Sequence, residues 1–180
     1  MSIKFAILGL LETFGPQSGY DIKAGFQQGP SHIWSADLPQ IYRTLNRLEV
    51  DELVTVSEDD SSARGRKIYT ISKAGRSELQ AWLEEDFEHI TLRDPVLLRI
   101  FFGNRIPTSR LRKQLTTYRA SLTQIASNYA EIEAMLNNIS PKLKNDAFFW
   151  LMTLDLGQRT HTVIIDWLDD FLKAIEDLDD

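Results

Sequence analysis

Residues 35–49 read SADLPQIYRTLNRLE. The segment carries the marks of a helix start. Asp37 offers an oxygen to a free backbone N–H, Pro39 falls in the first turn where a missing N–H costs little, and Gln40 follows Asp37 at capping-box spacing. At 100° per residue Leu38, Ile41, Leu45 and Leu48 share one stripe, while Gln40, Arg43, Thr44 and Arg47 share another, flanked by Tyr42 and Asn46. Arg, Gln and Asn present planar donor and acceptor forks that match guanine and adenine edges in a major groove. The same pattern also suits a plain amphipathic helix with a solvated face, so the neighbouring sequence has to decide.

Upstream, Ile3, Ile7, Leu10, Leu11 and Phe14 recur at helical spacing until Gly15-Pro16. Ser18 and Asp21 repeat the capping-box spacing and open a second helix, with Ile22 and Phe26 inward and Gly29-Pro30 at its end. Downstream, residues 53–56 (LVTV) and 68–71 (IYTI) read as strands around the polar segment EDDSSARGRK, which makes a hairpin. Three helices and a hairpin, in this order, are a winged helix-turn-helix, whose third helix enters the major groove and whose hairpin loop, the wing, reaches backbone or minor groove. Arg64, Arg66 and Lys67 sit where a wing needs charge, although a polar hairpin loop can also be a simple solvated turn. Ser72 caps a fourth helix with Leu79, Trp82, Leu83 and Phe87 on its apolar side, closing a DNA-binding domain over residues 1–90.

The whole chain bears a net charge of -6, which by itself argues against nucleic acid, because phosphate contacts need Lys and Arg. Distribution reverses that inference locally. Arg43, Arg47, Arg64, Arg66, Lys67, Lys73 and Arg76 fall within one window whose acids cluster at Glu49 to Glu52 and Glu58 to Asp60. Cysteine is absent, which removes disulfides, thiolate nucleophiles and cysteine zinc sites and fits a reducing compartment; the cytoplasm is expected. No apolar run approaches the ~18 residues of a membrane span.

The second half, residues 91–180, differs in character. Asp94-Pro95 opens VLLRIFF, ended by Gly103-Asn104. Leu111, Leu115, Tyr118, Leu122, Ile125, Tyr129, Ile132, Leu136 and Ile139 then alternate steps of four and three, a heptad seam. One helix over 109–139 would be ~45 Å long at 1.5 Å per residue, and needs a partner. After Ser140-Pro141 a last helical segment, 145–178, carries an apolar surface too wide for one neighbour. The long helix can fold back on it, and the surplus face points to a second copy of the chain, with Leu111, Leu115, Tyr118, Leu122, Ile125, Tyr129, Phe149, Val163, Trp167 and Phe171 as candidate contacts. The alternative is that everything packs within one chain.

Three stretches, ILGLLETFGPQSGYDIK (7–23), QIYRTLNRLEVDELV (40–54) and RGRKIYTISKAGRSELQAWL (64–83), together resemble the PadR family of bacterial transcriptional regulators. The helical second half resembles the family's longer subgroup, whose C-terminal domain is similar to that of virulence activators. The resemblance implies a homodimer on a palindromic operator, with the C-terminal helices as dimer arm and, in some members, a small aromatic effector that releases the DNA. It places Tyr42 at the tyrosine of the recognition-helix motif, Gly19-Tyr20 at the start of the second helix, and Arg66, Lys67 and Tyr69 in the wing. Arg43 stands where many members have proline, and Glu52 where many have glycine.

No catalytic constellation can be assembled. His32, His89 and His161 form no metal-binding spacing, and neither a phosphate-cradling glycine loop nor a nucleophile elbow occurs, so no enzyme, metal or cofactor is expected. Trp82, Arg159 and His161 are the candidate effector residues, with core and interhelical roles as the competing reading. The DNA-contact candidates are Tyr20, Ser35, Gln40, Tyr42, Arg43, Thr44, Asn46, Arg47, Arg64, Arg66 and Lys67. The reading is a mainly α protein with one small β-hairpin: a winged helix-turn-helix followed by a coiled-coil-like helical dimerisation domain, a repressor of double-stranded DNA. The alternative is a winged-helix protein-interaction module that does not bind DNA.

Overall fold

The computed structural model describes residues 2–28, 36–59, 66–87 and 93–176. The chain divides into two compact units, Met1–Glu88 and His89–Asp180. In the first, α1 (Ser2–Phe14) ends at Gly15, whose left-handed φ of 78° lets its N–H reach back to the Leu11 carbonyl at 3.1 Å. α2 (Gly19–Gln28) begins in a reciprocal capping box: the Ser18 N–H donates to the Asp21 carboxylate at 2.9 Å, and the Asp21 N–H donates to Ser18 Oγ at 3.3 Å. α3 (Leu38–Val50) is capped as its sequence predicts, with Asp37 Oδ1 accepting from the Gln40 N–H at 2.7 Å. Lys23 Nζ donates to the Ala36 carbonyl at 2.6 Å and so ties the entrance of α3 to α2.

Ile41, Leu45 and Leu48 of α3 are fully buried in a core with Ile7, Leu8 and Leu11 of α1 and Ile22 and Phe26 of α2. Burying side chains of this size stabilises by about 1.5–3 kcal/mol each, which fixes the rotation of α3 and therefore which residues it turns outward. β1 (Val54–Asp59) and β2 (Arg66–Ile71) pair antiparallel, from Val54 opposite Ile71 to Asp59 opposite Arg66. Gln17 adds a rung on the far side of β2, exchanging backbone hydrogen bonds with Tyr69 at 3.0 and 2.8 Å. α4 (Lys73–Leu83) starts at Ser72, whose Oγ accepts from the Gly75 N–H at 3.0 Å and donates to the Glu52 carbonyl at 2.8 Å. Of the apolar side expected for this helix only Leu79 is buried. Trp82 stacks on Phe5 with centroids 4.5 Å apart, and Leu83 and Phe87 are exposed.

The second unit contains α5 (Pro95–Phe101), a 3-10 turn (Gly103–Arg105), α6 (Thr108–Ser127), α7 (Tyr129–Asn137), a second 3-10 turn (Pro141–Leu143) and α8 (Lys144–Ala174). The single helix expected over 109–139 is broken at Asn128, whose N–H takes the Ile125 carbonyl in a tightened turn. The heptad reading needs a second correction. Leu115 and Leu122 are buried in one cluster with Leu168 and Ile175, with Leu111, Tyr118 and Phe171 packed against it. Tyr129 and Leu136 are buried with Leu154. The seam is therefore closed by α8 of the same chain, the fold-back the sequence allows; of the candidate dimer contacts Leu115, Leu122 and Tyr129 are buried there, and Leu111, Tyr118 and Phe171 partly so. Ile125, Phe149, Val163 and Trp167 remain exposed. No helix among the described residues is long and apolar enough to cross a membrane.

Candidate nucleic-acid interface

With its apolar stripe buried, α3 exposes Arg43, Asn46 and Arg47, and half-exposes Gln40 and Thr44. The Arg47 side chain is 84% exposed and only loosely paired to Asp51 at 3.7 Å, so little desolvation opposes its use against a ligand. Thr44 Oγ1 donates to the Gln40 carbonyl at 2.9 Å and is partly occupied. At the C-terminal end Glu49, Asp51 and Glu52 collect, and Lys67 comes from β2 to within 3.9 Å of Glu49. The face suited to an anionic duplex thus runs from Gln40 to Arg47 and stops short of the acidic C-terminal end of α3.

Tyr42 behaves differently from the other residues of the predicted reading face. Its ring is half-buried against the core and lies edge-on to the exposed Tyr20, with centroids 6.3 Å apart and planes at 78°. Burial pushes its phenol pKa up, Tyr20 and Asp21 add to the shift, and Arg66 opposes it. Gly19 makes room for this ring: a Cβ there would stand 2.7 Å from the Tyr42 Cε1 and Cζ atoms. Tyr42 therefore seats α3 on the start of α2, whereas Gln40, Arg43, Asn46 and Arg47 lie on the outward face.

The predicted wing cations separate in the same way. Lys67 is half-exposed at the edge of the hairpin. The Arg66 side chain is also 43% exposed, but its guanidinium lies over the capping box of α2, with Nη2 2.7 and 2.6 Å from the two Asp21 carboxylate oxygens and 2.7 Å from Ser18 Oγ. This partner set escaped the sequence because Ser18 and Asp21 explain each other locally and Arg66 is 45 residues away from Asp21. Ser35 and Arg64 lie outside the described residues.

The three candidate effector residues have other partners. Trp82 is stacked on Phe5 in the first unit. In the second, Arg159 Nε donates to Asp155 at 2.8 Å, one turn back on its own helix. His161 Nδ1 lies 2.8 Å from the Tyr129 hydroxyl and 2.9 Å from the Gly157 carbonyl, which makes it a satisfied group between helices. No cluster of His, Cys, Asp or Glu among the described residues is arranged to hold a metal ion.

Two family models cover most of the chain: one described as transcriptional regulator PadR-like family matches residues 7–81, and one described as virulence activator alpha C-term matches residues 92–176. The chain belongs to the PadR-like family of transcriptional regulators. Its relatives include the negative transcriptional regulator PadR of Bacillus subtilis (strain 168), 27% identical over 183 residues and covering 97% of both chains. The crystal structure of that PadR in complex with operator DNA superposes with a TM-score of 0.79 at 25% identity, covering 97% of this chain and 99% of that one. Its structure with p-coumaric acid gives 0.70 at 25% identity, over 97% and 95%. The Vibrio cholerae virulence activator AphA gives 0.77 at 25% identity, over 98% and 99%. A PadR-like regulator built as a winged helix followed by helices accounts for both halves of the fold.

Proposed function

We propose that this PadR-like regulator is a homodimeric repressor that binds a palindromic operator, reading bases with Gln40, Arg43, Asn46 and Arg47 of α3 and holding phosphates with the wing through Lys67. The observation that carries the reading is the division of α3: one stripe locked in the core, and the opposite face offering bidentate donors between Gln40 and Arg47. The likeness to a PadR bound to operator DNA supports it across both units. A second copy is supported by α8. Phe149, Met152, Leu156, Val163 and Trp167 follow a spacing of three, four, seven and four, each between 41% and 67% exposed, and form an apolar seam separate from the one closed by α6 and α7. Two such seams brought together by a two-fold axis would present two α3 helices to half-sites about one helical turn, ~34 Å, apart.

Fragments selected from the host genome, followed by electrophoretic retardation across a salt series, test the DNA reading. The expected result is a palindromic site whose affinity falls steeply with salt. No retarded band at low salt and any protein concentration would refute it and favour a winged module that binds protein. Sedimentation of Leu156→Glu and Val163→Glu tests the arm: both positions are exposed, so folding should survive while the dimer dissociates. A small aromatic effector is proposed on the PadR complex with p-coumaric acid alone. Titrating that acid into the DNA complex should release the operator; a titration with no effect at millimolar acid excludes it as ligand.

A further inference from the structure

Arg66 opens β2 opposite Asp59, at the point where the hairpin leaves the paired sheet for the wing loop. Its Nη2 group meets three oxygens at 2.6 to 2.7 Å, two from Asp21 and one from Ser18. Those oxygens are themselves fixed. Ser18 is only 2% exposed, and its N–H and Oγ–H donate to Asp21 Oδ2 at 2.9 and 2.8 Å. Partial burial pushes the Asp21 carboxyl up, but the Ser18 hydrogen bonds and Arg66 outweigh it and hold it below the usual carboxylate range. Three residues along β2, Tyr69 exchanges backbone hydrogen bonds with Gln17, so side chains and main chain clamp the same corner. Tyr42 of α3 senses both Asp21 and Arg66, which puts the clamp beside the recognition helix.

We propose that Arg66 is a surface strut: held by Asp21 and Ser18, it sets the base of the wing against the start of α2 and positions the hairpin for DNA without itself touching phosphate. This rests on the DNA-binding function proposed above. The Nη2 group already holding the carboxylate would have to surrender it to donate to a phosphate, and that carboxylate would then face the duplex unneutralised. Lys67, one residue on and therefore on the opposite side of the strand, is the phosphate-directed cation of the pair.

The test uses the full chain and its selected operator, with fluorescence anisotropy over a salt series for Arg66→Met, Asp21→Asn and the double variant. As a strut, each single variant weakens binding about tenfold, a difference of 1.4 kcal/mol, and the double is no weaker than either. The slope of log affinity against log salt stays at its parental value, because no phosphate contact has gone. A slope shallower by about 0.9 in Arg66→Met would overturn the strut, since that is the signature of one lost phosphate. Tighter binding by Asp21→Asn would overturn it too, because removing an acid from a DNA-facing surface should help unless the acid holds the wing. Hydrogen exchange without DNA gives a separate reading: the Tyr69 amide should exchange faster in Asp21→Asn at parental helix content, and an unchanged rate refutes the strut. Failure of the parent protein to bind any DNA would refute the functional reading alone.

Discussion

Glu52→Gly should make this protein more stable. Glu52 follows the C-cap of α3 with φ at 57°, the left-handed region, and is the lone non-glycine residue there among those described. The conformation is imposed from both sides. Its N–H is held by the Glu49 carbonyl at 3.1 Å, the Leu53 N–H by the Leu48 carbonyl at 2.8 Å, and its own carbonyl by Ser72 Oγ at 2.8 Å, so the turn cannot relax without losing the cap of α4. A residue with a Cβ in this region costs roughly 1–2 kcal/mol. Glycine removes that cost but gives back about 0.5–1 kcal/mol through the larger entropy of its unfolded chain. The side chain is exposed and makes no ion pair among the described residues, so nothing else is lost. The balance is a gain of about 0.5–1 kcal/mol, or roughly 2–6 °C in the melting temperature of a unit this size. Calorimetry of the parent, Glu52→Gly and Glu52→Asn checks it, the asparagine variant falling between because Asn tolerates this region better than Glu. A glycine variant that melts at or below the parent would show that the turn stores no strain and that the reasoning is wrong.

Gly75→Ala should cost about 1–3 kcal/mol or more in urea titration, because its Cβ would collide with the Leu53 carbonyl oxygen and crowd Ile71 Cγ1 at 2.9 Å, and backbone cannot step aside as a side chain can. Arg47→Ala should relax preference at one base position, worth about 1–3 kcal/mol, whereas Lys67→Ala should weaken all sequences alike and lower the salt slope by about 0.9; competition binding against single-base operator variants separates the two. Tyr129→Phe should destabilise the helical unit by roughly 1 kcal/mol by leaving His161 Nδ1 with the Gly157 carbonyl alone, and His161→Leu added to it should recover most of the loss, as thermal melts of the single and double variants would show. The helical unit should also lose stability in acid. The hydrogen bond from Arg119 holds the Asp169 carboxyl below its ordinary 3.8, so the pair's contribution is complete above that value and fades as pH falls through the lower folded value. Melting temperatures between about pH 5 and pH 3 should show a drop that Arg119→Met reduces.

Much of the winged unit was legible because its signals are local. Asp37 and Gln40, Ser18 and Asp21, and Ser72 at the head of α4 are caps, and each was found in place. The stripe of Ile41, Leu45 and Leu48 fixes by simple periodicity which face of α3 is turned outward. What could not be read was which of the candidate residues also have partners within the protein. Gly19 leaves a notch for the Tyr42 ring, and Asp21 lies beneath Arg66. Both depend on long-range packing between elements, for which spacing along one element carries no information. The departure at Glu52 from the family's glycine was visible in the sequence; only the backbone angle gave it a physical meaning.

The helical unit misled for a different reason. A seven-residue apolar repeat states that a helix needs a partner along one edge, without stating whose helix that is. Here the repeat Leu115, Leu122, Tyr129, Leu136 meets a second repeat on α8, Ala147, Leu154, His161, Leu168, Ile175, running the other way. Leu115 and Leu122 fall among Leu168 and Ile175, Tyr129 meets His161, and Leu136 joins Leu154. In the sequence His161 and Arg159 could be read as part of an effector site. Placed in the repeat, His161 takes a half-buried position in which its Nδ1 meets the Tyr129 hydroxyl across the helices and the Gly157 carbonyl on its own helix. One polar layer of this kind penalises any shift of α8 by a whole heptad, because a slipped register would bury His161 and Tyr129 against leucine. The pair thus fixes how α8 lies on α6 and α7. That in turn determines which α8 residues are left outside, and those are Phe149, Met152, Leu156, Val163 and Trp167, the seam on which the proposed dimer depends.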